Sequence, residues 1–140
     1  MRSLILLTAL ATSQPTSTTG AQAPDGPCTP TSVIGTWQFM AESRTFPGTT
    51  PYKHVTPTHF FIVRPDAEGM VAAGHGGTYK VVDGTYTEHV MQAISERVAG
   101  LRGRSFSFAC RIEGDVWYAT FGDGDDAVTE RWRRVAAARP

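Results

Sequence analysis

Cysteine and lysine are scarce in this chain, with two of each among 140 residues. Two cysteines are too few for a disulfide-dense scaffold or a four-cysteine zinc ribbon. Net charge is missing as well: 13 basic residues face 13 acidic ones. That balance leaves no basic surface of the kind nucleic acid requires, so no nucleic-acid partner is expected. Long apolar runs are absent. The stretch Leu4 to Ala11 covers eight residues, against about 20 for a bilayer-spanning helix. The sequence therefore predicts no integral membrane protein. Long helix-period segments are missing too, cut short by 14 Gly and nine Pro, which disfavours a helical bundle. No H-E-x-x-H, no G-x-S-x-G elbow and no phosphate loop occurs. Gly74-x-Gly76-Gly77 lacks the Lys-Ser/Thr that would meet phosphate, and reads as a flexible connection.

What is present begins with an address. Arg2 and the short apolar Leu4–Ala11 stretch lead to Ala21-Gln22-Ala23, a small-x-small cleavage pattern. Residues 1–23 read as a signal peptide, with cleavage after Ala21 as the other option. Export to the periplasm or the extracellular space follows as an expectation. Cys28 and Cys110 then have two readings. They form a disulfide in an oxidising compartment, or they are separate thiols, with Cys110 a small core residue.

The remaining pattern is one of strands and turns. Residues 24–32 form a turn-rich N-terminal extension, and 33–137 the single domain. Strands are expected over 33–43, 52–55, 58–64, 70–73, 78–82, 85–94, 105–112, 116–121 and 127–137. Asp83-Gly84 and Glu113-Gly114-Asp115 are tight hairpin signals. Residues 95–103 carry a helical turn at most. Such short spacing without crossover helices means an antiparallel sheet. The fold class is all-β, an antiparallel barrel of about eight strands, with a sandwich as the alternative.

Gly35-Thr36-Trp37 opens the first strand, and Thr129 to Val135 brings arginines to the end of the last. This set resembles lipocalins, in which a terminal arginine covers the first-strand tryptophan. The segments Lys53 to Phe60, Gly76 to Tyr79 and Tyr86 to His89 are similar to small exported bacterial lipocalin-like proteins of uncharacterised function. The resemblance implies a calycin-type barrel, with Gly35, Trp37 and Trp132 in structural positions.

Period-two alternation puts Glu130, Trp132 and Arg134 on one strand face, and Tyr86, Glu88 and Val90 on another. Trp132 and Tyr86 mark both faces as inward. Lys53, His59, Tyr79 and Trp117 are further candidates for the lining. Buried charges must be paired. The plain reading is a structural pair, Glu130–Arg134 or Glu88 with an arginine. The sharper reading makes these residues anchors for a small, partly apolar ligand. An enzyme (isomerase, cyclase or lyase) using a carboxylate or His59 as base is a further reading, and an interaction or inhibitor module with a side-chain-filled barrel is another. No catalytic residue, cofactor or metal is assigned. A metal site could still assemble in space, for example from His59 with Glu88 and His89. His75, in its glycine-rich stretch, is the histidine placed freely enough for a haem. The GDGDD run at 122–126 lacks an EF-hand glutamate, since residue 134 is arginine.

Overall fold

The computed structural model describes residues 25–40 and 50–136. The expected signal peptide, residues 1–23, lies outside the described residues, as do 41–49 and the C-terminal 137–140.

Among the described residues nine strands form in chain order: β1 (Gly26–Pro27), β2 (Gly35–Phe39), β3 (Tyr52–Val55), β4 (His59–Pro65), β5 (Val71–Val82), β6 (Thr85–Ile94), β7 (Ser105–Glu113), β8 (Val116–Phe121) and β9 (Val128–Arg134). One short helix, α1 (Glu96–Ala99), follows β6. All pairings are antiparallel. Strands β2 to β9 pair in sequence, and β9 returns to β2, so eight strands close into an up-and-down barrel. The barrel class expected from the strand spacing is the one observed, and closure leaves these strands no long free edge.

Local chemistry explains the corners. Asp83 and Gly84 both take positive φ, 47° and 71°, so the β5–β6 hairpin turns in two residues. This matches the hand of the strand twist. The acidic run at 122–126 forms a turn and a 3-10 segment, Gly124–Asp126.

The glycine-rich stretch corrects one expectation. Gly74 to Gly77 is not a connection but the buried middle of the continuous strand β5. A Cβ on Gly77 would lie 1.9 Å from the His89 carbonyl oxygen, and one on Gly76 would lie 2.5 Å from the Phe61 ring. Glycine here lets neighbouring strands approach at a bulge, where the register slips between Gly76 and Gly77 opposite Met91. Strands β2 and β9 begin one or two residues later than the apolar patterns suggested.

The closed end of the barrel is filled. Trp37, Phe60, Tyr86 and Trp117 are fully buried there, with Ile112 and Val90. Trp117 meets Trp37 and Tyr86 edge-on, at ring separations of 5.3 and 4.9 Å. Each such ring contributes roughly 2–3 kcal/mol by burial. The N-terminal extension is fastened to β7 by a disulfide buried with the core. β1 pairs with β7, and Cys28 forms a disulfide with Cys110 across 82 positions. By loop closure that bond is worth about 4 kcal/mol.

Candidate functional site

The opposite half of the barrel is hollow. A cavity of about 450 Å³ is walled by Phe39, Pro51, Ile62, Leu101, Phe106, Phe108, Phe121 and Trp132. Its polar side chains are Lys53, Arg64, His75, Glu88 and Glu130. The strands supply these side chains by alternation: Phe106 and Phe108 from β7, Glu130 and Trp132 from β9, Ile62 and Arg64 from β4. Leu101 arrives differently. The segment after α1 folds back onto β6, with Gly103 N–H donating to the Val90 carbonyl at 2.8 Å and Val90 N–H to that of Arg104 at 2.9 Å. This return carries Leu101 to the cavity wall.

An ion pair lies between the hollow and the filled halves. Lys53 Nζ is 3.0 Å from Glu88 Oε1, and both side chains are almost wholly buried. Four rings surround the ammonium: Trp117 at 4.6 Å, Trp132 at 4.7 Å, Tyr86 at 5.3 Å and Phe108 at 5.8 Å. Ring quadrupoles favour a cation there, and Glu88 neutralises it. Burial, joined by the negative charge of Glu88, pushes the Tyr86 phenol well above its ordinary range, so it stays neutral.

Higher in the cavity, the Glu130 carboxylate accepts a hydrogen bond from Trp132 Nε1 at 3.1 Å. Glu130 also acts electrostatically on Arg64, opposing the lowering that burial imposes on that guanidinium. His75 is 8% exposed and sits edge-on to Phe60 at 6.1 Å. Its Nδ1 is buried without a hydrogen-bond partner. Burial first, then the nearby Arg64 and Lys53 charges, bring its pKa down to about 4. At neutral pH the imidazole is therefore uncharged.

The sequence candidates separate into three groups. Lys53, Glu88 and Glu130 line the cavity together with Trp132. Tyr86 and Trp117 lie in the core beneath it. Tyr79 stacks on Tyr86 at 5.3 Å and donates its hydroxyl to the Thr56 carbonyl, outside the lining.

Two residues expected inside are placed elsewhere. His59 is exposed, bonded to the Thr58 hydroxyl, because Phe60 and Ile62 take the inward positions of β4. Arg134 is at the closed end, not in the ligand space. Its guanidinium lies 4.0 Å from the Trp37 ring centroid and donates to the carbonyls of Ile34 and Ser32, both at 2.8 Å. Glu88 pairs with Lys53 in place of an arginine, and Glu130 accepts from Trp132 while Arg134 turns to the Ile34 and Ser32 carbonyls.

His89 bonds Ser105 on the outside of the barrel, so His59, Glu88 and His89 do not converge. Among the described residues no cluster of three metal-ligating side chains occurs. His75, fixed in β5, has none of the loop freedom a haem ligand was expected to use.

Arg64 and His75 are the polar lining residues that sequence reasoning missed. Alternation from Phe60 through Ile62 points to Arg64. The glycines around His75 hid its strand.

No protein-family model matches the chain, and no curated protein matches it.

Proposed function

We propose that this protein is an exported, lipocalin-like carrier or sensor that binds a small, partly apolar molecule inside its barrel. The observation that carries this reading is the cavity of about 450 Å³, set above a filled aromatic floor. The volume falls in the range of small-molecule sites, which combine apolar walls with a few placed polar groups. Arg134 over Trp37 is the closure that the lipocalin resemblance implies, and it supports a calycin-type relationship. The signal-like residues 1–23 and the Cys28–Cys110 bond both suit an oxidising compartment outside the cytoplasm.

The test is native mass spectrometry on protein purified from its own host, beside a denaturing measurement. A reproducible extra mass that leaves on denaturation is the expected result, and it identifies the ligand class. The denatured mass also gives the cleavage point and the two hydrogens lost in the disulfide. A bare chain that also takes up no apolar probe would overturn the binding reading.

A further inference from the structure

The charges that face the cavity cancel. Lys53 is bound to Glu88 at 3.0 Å, and Arg64 is under the influence of Glu130. His75 adds a neutral imidazole at pH 7. An anion placed here would meet two carboxylates, and both cations, Lys53 and Arg64, are already balanced by them. A cation would find the aromatic cage filled by Lys53. Either charge would be desolvated among apolar walls without a free counter-charge of its own, an arrangement that proteins avoid.

Tyr86 and Trp117 also bury polar atoms without a hydrogen-bond partner, but in the core beneath the cavity; on the cavity wall His75 is the neutral polar side chain less well served. His75 is more than nine-tenths buried, lines the cavity, and has its Nδ1 sealed without a partner. Nε2 is then the ring nitrogen left to meet a ligand. Because the ring is neutral, one nitrogen carries the proton and the other accepts. A hydroxyl or an N–H-bearing amide on the ligand satisfies Nε2 in either tautomer, and a carbonyl does so when Nε2 carries the proton.

We infer that the cavity selects an uncharged molecule, an apolar body bearing one hydrogen-bonding group, and that His75 is the contact for that group. This rests on the binding reading above and names its ligand class. The volume corresponds to roughly 15 water molecules of liquid, so the body is about the size of a two- or three-ring aromatic or a short branched lipid.

Matched fluorescent probes test the charge. N-phenyl-1-naphthylamine is neutral, and 8-anilino-1-naphthalenesulfonate is the same skeleton with a sulfonate. At pH 7 the neutral probe is expected to bind at least about tenfold more tightly. In Glu130→Gln, which gives the cavity a net positive charge, that preference should narrow or invert. His75 is tested by competition between 1-naphthol and 1-methylnaphthalene. His75→Phe should weaken 1-naphthol by about tenfold and leave 1-methylnaphthalene within about twofold. Circular dichroism melts of each variant establish that the barrel is intact, and His75→Gln should restore part of the loss.

The outcomes separate the two ideas. If no probe binds the folded protein, the binding reading fails and this inference with it. If the sulfonate binds as tightly as the neutral probe, the charge selection fails while the binding reading survives. If His75→Phe weakens both competitors equally, His75 is a wall and not a contact.

Discussion

The guanidinium of Arg134 lies over Trp37, 4.0 Å from the ring centroid, and ties the chain ends of the barrel together. Its two hydrogen bonds reach back to Ser32 and Ile34, residues just ahead of β2. Trp37 in turn donates its Nε1–H to the Val33 carbonyl at 2.9 Å. One cation thus covers the tryptophan and satisfies two carbonyls of the turn before β2. Arg134→Ala should destabilise the barrel by about 2–4 kcal/mol, from lost charge-assisted bonds and lost ring contact. Arg134→Lys should recover little, because an ammonium cannot lie on the ring and fork to two acceptors together. Urea denaturation followed by tryptophan fluorescence measures both.

Gly35 provides the space for that arrangement. A Cβ there would lie 2.8 Å from Arg134 Nη1, at a φ of 137° that L side chains rarely adopt. Gly35→Ala is expected to lower the unfolding midpoint, and its effect should not add to that of Arg134→Ala. A double-mutant cycle reads this coupling. Strict additivity would mean that the glycine does not serve the arginine.

Glu88→Gln should destabilise the protein by about 3–5 kcal/mol, because it leaves Lys53 as an uncompensated buried ammonium. The double variant Lys53→Met, Glu88→Gln should regain most of that loss. Chemical denaturation of the single and double variants decides it. A single variant as stable as the parent would show that the cage alone holds the cation.

Acid should weaken the fold through His75. Its pKa is about 4 in the folded chain and 6.5 when free. The unfolded chain therefore binds the extra proton first as pH falls. Stability from this group is complete above about pH 6.5 and is lost progressively down to about pH 4, by roughly 2–3 kcal/mol. Arg64 and Lys53 face the ring and oppose its protonation, while Glu88 and Glu130 are the carboxylates in the same cavity. In His75→Gln the slope of stability against pH should flatten over this window, as followed by urea unfolding at stepped pH.

Reduction of the Cys28–Cys110 bond should lower stability by about 4 kcal/mol, since the closed loop is long. Cys28→Ala with Cys110→Ala should behave like the reduced protein. The barrel strands do not depend on the bond for their pairing, so far-ultraviolet circular dichroism of the variant should stay native-like at low temperature.

Much of the fold was legible because its signals are local. Asp83-Gly84 and Glu113-Gly114-Asp115 state their turns in two or three letters. Tyr86, Glu88 and Val90 share a buried face, as alternation required. Three features were hidden for physical reasons. Gly74 to Gly77 reads as punctuation in one dimension, and only the approach of His89 and Phe61 makes it strand interior. His59 precedes the apolar run Phe60-Phe61-Ile62, where alternation is ambiguous by one residue, and one residue reverses the face. Lys53 and Glu88 come from β3 and β6, strands that are not neighbours in the sheet. Periodicity placed both inside but has no means of introducing them to each other.

The division of the barrel into a packed half and a hollow half has a consequence for how such a protein can change. Residues such as Leu101, Phe106 and Phe121 line the open space and lie at the margin of the buried cluster that holds Trp37, Trp117 and Tyr86, not within it. Their replacement alters what the cavity admits without loosening the floor that holds the strands together. Descendants of one sequence can therefore acquire different cargoes by exchanging rim residues while the tryptophan end stays the same.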